Sequence, residues 1–251
     1  PWLVKSGNEE EFLEKSIRKL KKKINLKKDV CGIMLETFQG WGAIFYPKKY
    51  IQLLAKICKK NDILICFDEM QAGFGRTGKN FGFQHYEIFP DLICCGKGMG
   101  GGVALSGVIG KKKIMDLPEV GNMSSTNSAN PIACNAGLAV IEEIEEKRLT
   151  ENAKLKGELL HKNLLKIRQK FPNLINIYGK GLIAAIVFNQ DYRNINRKLK
   201  KLVELCMKDG LLLVYTGRES VKIGPPLTIT REAINEGCKI LNKNISSLFK
   251  Q

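Results

Sequence analysis

Apolar side chains recur at helical spacing through residues 8–27, where Phe12, Leu13, Ile17, Leu20 and Ile24 punctuate a charged run and predict an amphipathic helix covering a sheet. The period then changes. The run CGIMLE at 31–36 reads as a buried strand, 50–60 as a second helix, and ILICF at 63–67, LICCG at 92–96 and ALSGVIG at 104–110 as three more strands. Strands alternating with helices predict an α/β fold, a mostly parallel sheet with helices on both faces. From 130 to about 168 the pattern is helical, with a break near Thr150, whose hydroxyl could cap the second half. Alternation at 174–178, the run LIAAIVF at 182–188, a helix over 195–208, LLLVY at 211–215, VKIG at 221–224 and a final helix over 231–249 then make an α+β unit. The chain divides accordingly into a partial large domain, 1–150, and a small carboxyl-terminal domain, 151–251.

A length of 251 residues suits one domain or one and a half. The net charge of +16 invites a nucleic-acid partner, because clustered basic groups supply the salt-dependent part of such binding. Their distribution argues against it: 33 of the 41 basic residues are lysines mixed with glutamates on helix faces, and the one dense run, 19–28, reads as a solvated helix end. The apolar runs are too short and too often broken by charge for a membrane span or a signal peptide, which makes the cytoplasm the expected location. Eight cysteines lie mostly inside apolar patterns without paired C-x-x-C spacing, and His85 and His161 are the only histidines, so no metal centre is expected.

Two neighbouring stretches carry the chemistry, CFDEMQAGFGRTG at 66–78 and CCGKGMGGGVALSGVIG at 94–110. Each is a strand-length apolar run ending in a polar or glycine-rich turn, and residues just past the carboxyl ends of parallel strands line the ligand crevice. The first stretch delivers Asp68, the second Lys97. A buried acid paired with a lysine set among glycines suits a cofactor that needs a protonated ring nitrogen and an imine-forming amine, and pyridoxal phosphate is such a cofactor. Taken singly, each has a plainer reading: Asp68 as a turn cap after a strand, Lys97 as a surface turn residue.

The segment FDEMQAGFGRTGKNFGFQHYEIFPDLICCGKGMGGG resembles the core of the class III aminotransferases of fold type I, and weaker matches extend through LETFQGWGAIFYP, SSTNSANPIACNAG and KIGPPLTIT. The resemblance implies an aminotransferase that moves an amino group between an amine or amino acid and a keto acid, with Lys97 as the Schiff-base lysine and general base. Asp68 would lie under the pyridine ring and Gln71 at the cofactor's phenolic oxygen, while Glu69 and Arg76 would be structural. Thr126, with Ser125 beside it, would donate to the cofactor phosphate across a homodimer interface, although hydroxyls before a helix are also ordinary N-caps. Glu36 would lie near cofactor or substrate. Two positions depart from the family pattern: Trp41 stands where many relatives have Glu, and Lys222 where they have Arg, a pair that recognises a substrate carboxylate. A lysine supplies a point charge without the arginine fork. The family's glycine-rich phosphate loop and ring-stacking aromatic have no match before Glu36, and the chain opens on Pro1-Trp2, so it reads as a carboxyl-terminal fragment or a truncated product. The alternatives are a decarboxylase or aminomutase of the same fold, or a non-catalytic binding module.

Overall fold

The computed structural model describes residues 7–249, which leaves Pro1 and Trp2 outside. In chain order the elements are α1 (Glu9–Lys21), α2 (Leu26–Asp29), β1 (Gly32–Glu36), β2 (Phe38–Gln39), β3 (Ile44–Phe45), α3 (Lys48–Lys60), β4 (Leu64–Asp68), β5 (Leu92–Cys95), β6 (Gly107–Gly110), α4 (Lys112–Met115) and α5 (Pro131–Glu146). They continue with α6 (Leu149–Lys170), β7 (Ile175–Lys180), β8 (Ile183–Phe188), α7 (Ile195–Lys208), β9 (Val214–Tyr215), β10 (Ser220–Ile223) and α8 (Arg231–Phe249).

The chain forms two compact units. The first comprises 1–38, 46–74 and 79–147, and its sheet has the order β1-β4-β5-β6. The pairs β1–β4 and β4–β5 are parallel, whereas β6 returns antiparallel to β5. The alternation in β4 buries Ile65 and Phe67 on one face and turns Leu64, Cys66 and Asp68 to the other. Phe67 stacks on the fully buried Tyr86 with ring centroids 6.0 Å apart. Burying one such ring contributes about 1.5–3 kcal/mol. The opposite face is open at its margins, where Met34 and Val108 are exposed, so within the described residues the expected cover of helices on both faces is not complete.

The second unit comprises 39–45, 75–78 and 148–251. Its sheet runs β7-β8-β10-β9, antiparallel throughout, and all six residues of β8 are buried. That strand is the spine of a core with Leu160 and Leu164 of α6, Leu199 and Leu202 of α7, and Leu241 and Ile245 of α8. Two short segments from the first 150 residues belong here. Arg76 draws one of them in: its guanidinium donates to the carbonyls of Leu182 and Pro225, while its own carbonyl accepts from Leu182 N at 3.0 Å. Helix α6 crosses the β7–β8 turn so closely that a Cβ on Gly157 would lie 2.4 Å from the Gly181 carbonyl carbon.

Three local readings of the pattern are corrected. The first helix stops at Lys21, and Asn25 starts a separate short helix by accepting from Lys27 N and Lys28 N. The break between α5 and α6 falls at Lys147 and Arg148, the latter left-handed at φ 49°, so Thr150 sits inside α6 and is not its N-cap. Of LLLVY only Val214 and Tyr215 pair as a strand, because β10 offers them just Lys222 and Val221.

Candidate active site

Asp68 is the last residue of β4, opposite Glu36 of β1 and Cys94 of β5. Its Oδ1 accepts from Met70 N at 2.9 Å, a turn that aims the carboxylate past the strand end. Two residues beyond the end of β5 comes Lys97, at φ +50°. A left-handed conformation costs a non-glycine residue about 1–2 kcal/mol, and the flanking glycines let the chain reach it. Gly96 has a second reason to lack a side chain, since a Cβ there would meet Met70 Sδ at 2.5 Å.

Asp68, Gln71, Lys97 and Glu36 line one cavity of about 70 Å³, closed by Phe38, Met70 and Ala72. The parallel register therefore brings together four of the residues singled out in the sequence. A carboxylate, an amide and a primary amine around one cavity match the needs of a pyridoxal ring: an acceptor for its ring N–H, a partner for its phenolic oxygen and an amine for its aldehyde.

Immediately after Asp68 the chain builds a clamp. Glu69 is fully buried and its carboxylate accepts from Thr37 Oγ1 at 2.5 Å, Gly82 N at 2.7 Å and Phe83 N at 2.7 Å. Burial raises its pKa, against the lowering effect of those three bonds. Tyr86 completes the arrangement, donating to Thr37 O at 2.5 Å and accepting from Tyr46 N at 3.1 Å. The strand end that carries Asp68 is thus tied to the 3₁₀ turn at 82–86. An acidic residue directly after an apolar strand was the visible signal; its three donors could not be read from the sequence.

Ser125 and Thr126 lie in the exposed turn region before α5, where Ser128 N and Oγ both donate to Ser125 O. The N-cap of α5 is Asn130, whose side chain accepts from Ile132 N at 2.9 Å, so neither hydroxyl serves as the cap.

Trp41 and Lys222 belong to the second unit and are neighbours there: Lys222 Nζ donates to Gly40 O at 3.2 Å and Ser220 Oγ to Trp41 O at 2.8 Å. The indole carries the Arg218 guanidinium 5.1 Å from its ring centroid. Nothing in the sequence pattern pointed to that arginine. Among the described residues no group of His, Cys, Asp and Glu could hold a metal ion, and no helix is long and apolar enough to cross a membrane.

An acid and an amine at the carboxyl ends of adjacent parallel strands thus converge on one small polar cavity of an α/β sheet. The profile of the family "Aminotransferase class-III" matches residues 3–245, and the chain belongs to that family. It is 37% identical over 215 residues to the acetylornithine aminotransferase of Prochlorococcus marinus, covering 84% of this chain and 50% of that protein. It is 36% identical over 224 residues to the leucine/methionine racemase of Thermococcus litoralis, covering 87% and 50%. Among solved structures it is similar to the ornithine aminotransferase PY00104 from Plasmodium yoelii, with a TM-score of 0.83 and 30% identity over 92% of this chain and 61% of that one. The fold is thus the α/β architecture of fold type I, and the chain spans about half the length of the curated relatives it matches.

Proposed function

We propose that the chain is the lysine- and acid-bearing part of a pyridoxal-phosphate-dependent aminotransferase. The observation that carries this reading is the convergence of Asp68, Gln71 and Lys97 on one cavity at the ends of β4 and β5. When bound, the cofactor supplies an electron sink for charge developing at the substrate's α-carbon. Asp68 would accept a hydrogen bond from the ring N–H and keep that nitrogen protonated. Gln71 would donate to the phenolic oxygen. Lys97 would hold the aldehyde carbon covalently and, once displaced by an amino donor, shuttle a proton at the substrate α-carbon as general base. Ser125 and Thr126 would hold the phosphate from a second copy, which makes the working form a homodimer. The substrates are an amine or amino acid and a keto acid, with Glu36, Trp41 and Lys222 as the proposed substrate-binding residues, and the location is cytoplasmic. The boundary between the two functional domains is placed near residue 150.

Borohydride reduction of the chain at limiting pyridoxal phosphate, followed by peptide mapping, tests the assignment. Label is expected on Lys97, with its yield reduced in Asp68→Asn; label distributed over other lysines, or undiminished in Asp68→Asn, refutes it. Formation of keto acid from a single-enantiomer amino donor, against inversion of that donor, distinguishes transamination from racemisation.

A further inference from the structure

Cys66 of β4 and Cys94 of β5 touch on one face of the first unit's sheet, with their sulfurs 3.7 Å apart. In the parallel register Cys66 lies opposite Leu92 and Cys94 opposite Asp68, so the thiols are diagonal neighbours, one pleat apart on adjacent strands. Both are half-buried, as is Cys134, whereas Cys58, Cys95, Cys206 and Cys238 are buried and Cys31 is exposed. Among the described residues this is the one thiol–thiol contact. The face is also accessible. Met34 lies opposite Cys66 and Val108 opposite Cys94, and these flanking side chains are 61% and 48% exposed.

We propose that Cys66 and Cys94 form an oxidisable dithiol site that takes a low-molecular-weight disulfide of the glutathione type as its oxidant and closes to an intrachain disulfide. One thiol of the pair, as its thiolate, attacks one sulfur of that disulfide, a mixed disulfide forms and the first small thiolate leaves. The other cysteine then attacks the protein sulfur of that mixed disulfide and expels the second. Two electrons pass from the protein sulfurs to the small disulfide, which departs as two thiols carrying the two protons that the cysteines gave up. Burial first, then the hydrogen bond and charge of Cys94, then Asp68, push the Cys66 thiol up to about 12.

Closure has a consequence for the strand ends. A disulfide needs about 2.04 Å between sulfurs, so the pair must close by about 1.7 Å, and diagonal neighbours on adjacent strands are more widely spaced than the bridge prefers. Such a bridge is strained and readily reduced. Asp68, two residues past Cys66 and directly opposite Cys94, moves with it. On the reading of Asp68 given under Proposed function, oxidation weakens cofactor uptake and the bound cofactor opposes oxidation, because coupling between two sites is reciprocal.

The test is oxidation of the full chain with glutathione disulfide, alkylation of remaining thiols, trypsin digestion and mass spectrometry. The expected product is peptide 61–76 joined to peptide 80–97, formed also by Cys95→Ala and abolished in Cys94→Ser and in Cys66→Ser. Alkylation of both Cys66 and Cys94 after oxidation, or a bridge that survives in Cys94→Ser, overturns the dithiol site. Pyridoxal phosphate uptake, read by absorbance, is expected to fall at least about fivefold in the bridged chain and to recover on reduction. Bridging with unchanged uptake overturns the link to Asp68. Bridging in a chain that takes up no cofactor in either state overturns the functional reading while leaving the dithiol site established.

Discussion

Replacing Glu69 by Ala should destabilise the chain more than almost any other single change to a charged residue. The carboxylate is fully buried and receives two backbone amides and one hydroxyl. Truncation leaves the Gly82 and Phe83 amides without an acceptor, and each buried unsatisfied donor costs about 1–3 kcal/mol. The Thr37 hydroxyl can rotate to another acceptor, so the loss rests on the amides and comes to about 2–6 kcal/mol. Against a total stability of about 5–15 kcal/mol that is a large share. Glu69→Gln keeps one acceptor but turns an NH₂ toward a donor, and it should fall between wild type and the alanine variant. Urea unfolding followed by circular dichroism provides the measurement, with the midpoint shifting at constant slope. An alanine variant within about 0.5 kcal/mol of wild type would refute the clamp, that being the usual range for an inconsequential surface change. The pH dependence is a second check. Because burial holds the folded carboxyl above its ordinary 4.5, the stability it contributes is complete below about pH 4.5 and is lost as pH rises through the folded value. The glutamine variant lacks that loss, so the advantage of wild type over it should shrink as pH increases.

Gly181→Ala and Gly217→Ala form an informative pair, since both positions are left-handed but a Cβ at Gly181 would lie 2.4 Å from the Thr77 carbonyl carbon whereas none lies near at Gly217. Thermal unfolding should show a loss of about 1 kcal/mol at Gly217 and at least about twice that at Gly181; equal losses would mean that the close approach carries no energy. His161 is held below its usual 6.5 mainly by burial, against hydrogen bonds to the backbone of Gly181 and Ile183. The stability due to its neutral form should therefore be present above pH 6.5 and be lost as pH falls through the lower folded value, a slope that His161→Gln should flatten in melting curves.

The strands that carry Asp68 and Lys97 were legible because their apolar runs end in residues that cannot continue them, and parallel register then decided their meeting. The same periodicity misjudged LLLVY. Apolarity marks which residues avoid water, but a strand also needs a partner, and β10 is too short to pair all five. The break before α6 was displaced because Thr150 has a capping hydroxyl, while the chain turns at Arg148 through backbone conformation alone. The donors of Glu69, the place of Arg218 and the Cys66–Cys94 contact were invisible for a common reason: each depends on residues far along the chain. Even Trp41 and Lys222, picked out by family pattern, become neighbours through bonds spanning about 180 positions, which no local rule can anticipate.

The interleaving of the two units bears on the order in which a ribosome delivers them. The chain passes from one unit to the other at 38/39, 45/46, 74/75, 78/79 and 147/148, five times in all. Arg76 emerges 149 residues before Pro225, one of the carbonyls that hold it. At about 5–20 residues per second the segment 75–78 waits roughly 7–30 s for that partner. The first unit has 39–45 and 75–78 as unfilled loops during that interval, and the second cannot complete its packing until both early segments are captured. Nascent chains stalled before residue 182 should therefore leave Arg76 and its neighbours open to protease, and those released after 225 should not.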